Sequence, residues 1–296
     1  MLYAYLLSKS DMRMQDALKE LRKSLDKAYE LYHYLLLLPV ELTRLQELRI
    51  DNARNKYLPT PEDLNPNMKF VENRFVAKMR QSEMMQEFLK TTPLSWRKND
   101  IYLRLTLDKI LNSDIYKAYM ETPQSDLASD CELWKDLMKK VIFPDDELCD
   151  VLEEESVYWN DDLETIGTFV LKTIRRFADD GYDKLLPQFK DEEDSRYSER
   201  LFRNAAEHES EYMALIDKFV VKDSWDTERL AFMDVVILLT AIAEVENEPS
   251  VPTKVTLNEY IEISKYYSTT KSGAFVNGIL NSIINYLKKE GLLNKE

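Results

Sequence analysis

Only five glycines punctuate 296 residues, and that scarcity of turn formers, set beside abundant Leu, Glu, Lys and Met, restricts the chain to long helices joined by short connections. The pattern of apolar residues agrees. From Phe275 they fall at Phe275, Val276, Ile279, Leu280, Ile283, Ile284 and Leu287, a two-wide stripe at helical spacing that must be buried. Asn277, Asn281 and Asn285 lie on an adjoining strip, where asparagine adds no helix propensity. Before this stripe, Pro252 cannot continue a preceding helix, and Thr253 or Thr256 can cap a new one that opens near Val255. The expected class is all-α: a multi-helix bundle with a C-terminal helical domain and an additional helical region.

In chain order, Met1 to Leu7 is too short to hold a helix alone and reads as the end of one that begins earlier. Asp16 to Arg49 is amphipathic and reads as a helical hairpin or one bent helix, interrupted or kinked at Pro39. His33, among Tyr29, Tyr32 and Tyr34, has no carboxylate or thiol pattern around it and reads as a packed histidine. Leu58 to Asn67 carries three prolines and reads as a loop. Lys69, Arg74, Lys78, Arg80, Lys90, Arg97 and Lys98 then alternate with Phe70, Phe75, Phe88 and Trp96. Such a strip can grip phosphates and stack bases, but a solvated helix face over an apolar one is the better reading. An echo of Trp134, Trp159 and Leu171 in Tyr197, Trp225 and Leu238 is compatible with a duplicated helical unit. Gly181, Pro187 and the acidic run Asp191 to Asp194 mark a boundary, dividing the chain into residues 1–190 and 191–296.

Charge is unevenly spread. Residues 1–99 hold 17 Lys/Arg against 13 Asp/Glu, residues 100–190 hold 11 against 21, and residues 191–296 hold 12 against 20. A phosphate-facing surface is therefore favoured on the first third, because the rest repels RNA at long range. No apolar run is long enough to span a membrane and no signal peptide opens the chain, so a cytoplasmic home is expected. Cys131 and Cys149 lack metal-ligand spacing and read as reduced thiols.

The run Val251-Pro-Thr-Lys-Val-Thr-Leu-Asn-Glu, followed by Lys265-Tyr-Tyr and by Ser272-Gly-Ala-Phe-Val-Asn-Gly-Ile-Leu, resembles the C-terminal signature of the NusB family of transcription antitermination factors. Trp225 to Glu244 is similar to a further helix of that family, and Met1 to Ser8 to the end of its first helix. The resemblance covers about the last third of the chain and those first residues. It implies RNA-binding positions at Tyr3, Lys254 and Phe275, with Lys254 on phosphate and Tyr3 and Phe275 stacking on bases, although Phe275 also heads the apolar stripe; Lys271, where many relatives carry an acid, is a further RNA-binding candidate that offsets Ala274 standing in place of a family lysine. It matches an acidic family position at Asp234, which in so apolar a helix must find a partner and is expected to contact a protein; Glu259 and Glu262, on the exposed side of their helix, are candidate anchors for a basic protein partner, with a plain solvated face as the equal alternative. In the family the part preceding Met1 is arginine-rich. Where relatives carry basic residues this chain has Val235 and Leu239, so the extra residues 10–190 are expected to pack over that helix.

Nothing points to catalysis. The chain has no glycine-rich phosphate loop and no HExxH helix, and His33 and His208, its two histidines, stand outside any nucleophile context. The clusters Asp145-Asp146-Glu147, Glu153-Glu154-Glu155 and Asp161-Asp162 read as solvated helix starts rather than cation sites. No metal or cofactor is expected. The resemblance implies a non-catalytic factor that binds the boxA element of ribosomal RNA leader transcripts together with NusE, a ribosomal small-subunit protein, within the transcription elongation complex. Two other readings remain open: an RNA-docking module related to ribosomal RNA cytosine methyltransferases, and an interaction scaffold that has lost RNA binding.

Overall fold

The structure, a computed structural model, describes residues 1–8, 11–179, 182–222, 230–293 and 295. Gly181 of the expected boundary, and Trp225 to Arg229 at the head of the family-like helix and in the internal echo, lie outside the described residues. Among the described residues the regular elements are helices, with no strand. They form two compact units, one of Met1–Lys23 with Phe189–Glu296 and one of Ser24–Gln188. The sequence division at 190 treats residues 1–190 as one region; the structure assigns the first 23 of them to the unit of the C-terminal helices.

Helix α1 spans Leu2–Leu7 and α2 spans Met14–Arg54. Rather than a hairpin, α2 is one 41-residue helix that runs on through Pro39. Proline there removes one backbone donor and its ring crowds the preceding turn. Leu31, Leu35, Leu36, Leu38 and Leu42, all fully buried, hold the helix in the core of its unit on both sides of that defect.

The Ser24–Gln188 unit continues with α3 (Pro61–Leu64), α4 (Arg74–Gln81), α5 (Glu83–Thr91), α6 (Asp100–Asn112), α7 (Asp114–Glu121), α8 (Leu127–Leu137), α9 (Asp146–Glu155) and α10 (Leu163–Phe177). Its spine is the later part of α2. Trp96 Nε1 donates to the Tyr34 carbonyl at 2.8 Å, and Trp159 Nε1 donates to the Lys27 carbonyl at 2.7 Å, so two buried indoles pin α2 without an orphaned donor. His33 is packed as expected: its ring stacks on Phe88 with centroids 3.6 Å apart, and its Nδ1 lies 2.9 Å from the Tyr29 carbonyl, which fixes the proton on Nδ1. Burial lowers its pKa to about 4.

The proline-rich stretch is not wholly irregular. Thr60 caps α3, accepting from the Asp63 amide at 3.2 Å while Asp63 accepts from the Thr60 amide at 3.0 Å. In the basic and aromatic strip that follows, Phe70, Phe75 and Trp96 are buried, and Lys69 Nζ donates to the Tyr119 and Thr122 carbonyls. Lys69 is thus turned inward, while Arg74, Arg80, Lys90, Arg97 and Lys98 are exposed over the apolar side, the solvated-face arrangement. Asp145 caps α9, as expected of an acidic helix start. Cys131 is buried, which raises its thiol to about 12, and Cys149 is exposed; both are free.

The other unit adds α11 (Glu192–Glu207), α12 (Glu209–Lys222), α13 (Phe232–Asn247), α14 (Thr253–Tyr267) and α15 (Ser272–Lys289) to α1 and the opening of α2. Helix α13 sits at its centre, packed by α1, α11, α12, α14 and α15. Every member of the Phe275 to Leu287 stripe is buried on α15, as the periodicity predicts, while Asn277, Asn281 and Asn285 are exposed. Neither threonine caps α14: its first turn follows Pro252 without a side-chain cap, and Thr253 and Thr256 are buried.

The expectation that residues 10–190 pack over α13 is met by the beginning of that stretch: Leu239 is fully buried and Val235 partly so, and Met12, Met14, Ala17, Leu18 and Leu21 belong to the cluster that holds them. The rest of the stretch builds a core of its own, because thirty-five buried apolar residues between Leu31 and Leu185 satisfy one another.

Candidate functional site

In the unit built on α13, α1 and the opening of α2 lie beside α11, α13 and α14, and the helices leave a groove of about 390 Å³. Apolar side chains line it: Leu2, Leu21, Leu201, Met233, Val236 and Ile263 among them, with Tyr3, Tyr197, Tyr260 and Tyr267. Tyr3 is 38% exposed, and its ring meets Phe232 edge-on at a centroid distance of 5.0 Å. One side of α1 is thus fixed by packing and the other presents an aromatic to solvent.

Two of the lining tyrosines are held by a buried acid. Tyr197 donates to Glu244 Oε2, and Tyr260 donates to the same oxygen at 3.4 Å. Burial first, and the Glu244 charge after it, push both phenols above their ordinary range, so they stay protonated donors. One turn on, Glu248 is held in a forked pair by Arg200, at 3.1 and 2.9 Å. Lys295 closes the end of α13 by donating to the carbonyls of Glu244 at 3.0 Å and Glu248 at 2.9 Å. Sequence reasoning missed this group. The signal was present, since Glu244 and Glu248 stand at the C-terminal end of an apolar helix, where acids oppose the helix dipole and need partners.

Asp234 is 6% exposed and is satisfied internally. Ser268 Oγ donates to its Oδ1 at 2.5 Å and Ser272 Oγ donates to its Oδ2 at 2.9 Å, so the first turn of α13 is tied to the connection between α14 and α15. It is a latch within the unit, which corrects the expectation of a partner contact there. Phe275, also 6% exposed, packs in the core, and its ring is covered rather than offered for stacking.

The remaining predicted positions are on the surface. Lys254 is exposed in the first turn of α14 and Lys271 is exposed just before α15. The groove side of α14 carries Tyr260, Ile263 and Tyr267. A helical advance of about 100° per residue sets Lys254 about 120° from Tyr260 and about 180° from Ile263, so Lys254 and the groove occupy different sides of α14. Glu259 and Glu262 are exposed on yet another side, in register with Val255 and Tyr266, which are 44% and 67% exposed. Glu262 accepts from Lys265 at 2.6 Å. Among the described residues no group of three or more His, Cys, Asp or Glu could hold a metal ion, and no helix is long and apolar enough to cross a membrane.

These elements define a helical-bundle module whose accessible features are an aromatic-lined groove, exposed lysines and a mixed acidic and apolar helix side. Residues 162–285 match the sequence profile of the NusB family. The chain is 37% identical over 110 residues to the transcription antitermination protein NusB of Salinibacter ruber, covering 37% of this chain and 68% of that one. It is 37% identical over 109 residues to the NusB of Methylacidiphilum infernorum, covering 35% and 75%. Against the NusB of Chloroherpeton thalassium identity is 46% over 82 residues, 27% of this chain and 39% of that protein's length. The chain belongs to the NusB family. No solved structure matches it.

Proposed function

We propose that this protein is a non-catalytic transcription antitermination factor that holds a boxA-type RNA together with NusE, its ribosomal small-subunit partner, in the transcription elongation complex. The observation that carries the reading is the partly exposed ring of Tyr3 beside the groove, in the unit that also holds the family-matched helices from α11 onward. Tyr3 supplies the stacking surface, and Lys254 and Lys271, neither of them in an ion pair among the described residues, supply phosphate contacts. Lys254 and the groove lie on different sides of α14, and a helix with its side chains is about 10–12 Å across, so the reading requires an extended strand that wraps around α14 to reach both. Val255, Glu259, Glu262 and Tyr266 offer a basic protein an acidic side with two apolar anchors. The protein works in the cytoplasm on this reading.

Fluorescence anisotropy with a labelled boxA-type RNA, with and without the ribosomal protein, tests it. Tyr3→Ala is expected to weaken RNA binding about 10-fold, in line with about 1–3 kcal/mol for a stacked base. Glu259→Lys with Glu262→Lys is expected to weaken capture of the ribosomal protein. Unchanged RNA affinity in Tyr3→Ala and in Lys254→Ala would remove the reading.

A further inference from the structure

We infer that the outer side of α10, in the Ser24–Gln188 unit, is a second binding surface for single-stranded RNA, separate from the groove and independent of the reading above. The inner side of α10 is ordinary packing: Val170, Ile174 and Phe177 are buried, and a Cβ on Gly167 would approach the Phe143 ring to 3.1 Å. The outer side is unusual for a helix whose apolar residues otherwise point inward. Phe169 is 42% exposed, and Lys172 and Arg176 follow it at i+3 and i+7, which places all three on one stripe. Arg175 lies alongside, also exposed.

The charges here are available. Lys172 and Arg175 make no ion pair among the described residues. Arg176 is held from behind, donating from Nη1 to the Tyr182 hydroxyl at 3.0 Å with its guanidinium 5.4 Å from that ring, an arrangement that commits one of its five donors and orients the rest. The acids nearest this side are Asp162, at i−7 from Phe169 and partly buried, with exposed Asp161 before it, Glu164 in the first turn and Asp179 beyond the last; all but Asp179 lie at the N-terminal end, away from the three cations. Three cations within five residues stand out in a unit with 22 Lys/Arg against 31 Asp/Glu.

Complementing the helix dipole accounts for Arg175 and Arg176 in the last turn, but not for Lys172 a turn earlier, nor for an exposed phenylalanine on the same stripe. An aromatic face beside ordered cations matches an anionic chain with open π faces. Single-stranded RNA has both, whereas in a duplex the bases are stacked away from the ring.

The test uses the full chain and a labelled single-stranded RNA of mixed sequence, about 12 nucleotides long, within the span one binding module covers. Anisotropy is expected to show about 10-fold weaker binding for Phe169→Ala, with Phe169→Tyr restoring it, and a loss at least as large for Lys172→Glu with Arg175→Glu. All three positions are exposed, and circular dichroism confirms the helix content of each variant. Photocrosslinking with a thiouridine-bearing strand is expected to place adducts on the peptide containing Phe169. The inference is overturned if wild type and variants bind alike, if duplex RNA binds as tightly as single strands, or if anionic vesicles are bound in place of RNA. Tyr3→Ala leaves the Phe169 adduct in place, so loss of the groove reading and loss of this one are told apart.

Discussion

Removing the Asp234 carboxylate is the sharpest way to ask whether that residue serves the fold or a partner. It is nearly buried and accepts two serine hydroxyls, at 2.5 and 2.9 Å, from the connection between α14 and α15. A hydrogen bond to a charged group contributes about 1.5–3 kcal/mol net, and an acid in the first turn of a helix adds about 0.3–1 kcal/mol. Some of this is recovered in Asp234→Ala, because the Ser272 hydroxyl proton, released from the carboxylate, can turn to Ser268 Oγ at 3.0 Å or Thr269 Oγ1 at 2.8 Å. The expected cost is about 2–4 kcal/mol. Asp234→Asn keeps the shape and one acceptor, and can donate to a serine oxygen that turns to receive it, so about 1 kcal/mol is expected.

A single melting temperature is a poor readout, because a chain of two units with separate cores need not unfold in one step. Hydrogen exchange resolves the region. The amides at the end of α14 and the start of α15 are expected to exchange about 30- to 1,000-fold faster in Asp234→Ala, the factor that corresponds to about 2–4 kcal/mol, while α2 from Leu31 to Leu42 keeps its protection. Protection that is unchanged around Ser268 and Ser272 would refute the latch. So would equal effects of alanine and asparagine.

Two further outcomes follow from the packing. His33 has its pKa lowered to about 4 by burial, so the unfolded state binds the extra proton first; the stability it confers is complete above about 6.5 and is lost as pH falls toward 4, by at most about 3 kcal/mol. His33→Phe is expected to flatten that part of the pH profile, read by the fluorescence of Trp96, Trp134 and Trp159 in the same unit, and an identical profile in the variant would rule the histidine out. Gly278→Ala on the exposed side of α15 is expected to stabilise by about 0.5–1 kcal/mol, since an added Cβ meets nothing within 4 Å and alanine loses less backbone entropy; local hydrogen exchange in α15 checks it, and a loss of stability would mean the glycine is needed by the fold itself.

What could be read from the chain divides along a physical line. Periodicity gave the helices and the buried side of α15, because an apolar stripe is a local property of sequence. Proline gave wrong or partial expectations at Pro39 and Pro61, where tertiary packing around α2 and a capping box at Thr60 outweighed local punctuation. The groove was only partly legible: Tyr3 was named, but Tyr197, Tyr260 and Tyr267 come from two other helices, and no spacing along the chain announces that they meet. The same holds for the two cores, whose separation depends on which leucines of α2 find which neighbours.

The Phe275-Val-Asn-Gly segment shows why a recognisable motif and a functional surface are different things. Phe275 and Val276 are buried with the α15 stripe, so their identity is demanded by packing and would be demanded in any protein with this bundle. Asn277 and Gly278 face outward; Asn281 Nδ2 donates to Asn277 Oδ1 at 2.8 Å, and the glycine has open space where a Cβ would go. The first pair therefore testifies to the fold and the second does not follow from it. A resemblance carried by all four residues identifies the bundle firmly. The acting surface has to be sought from exposure and charge, residue by residue, which is the ground on which Tyr3, Lys254 and Lys271 are proposed.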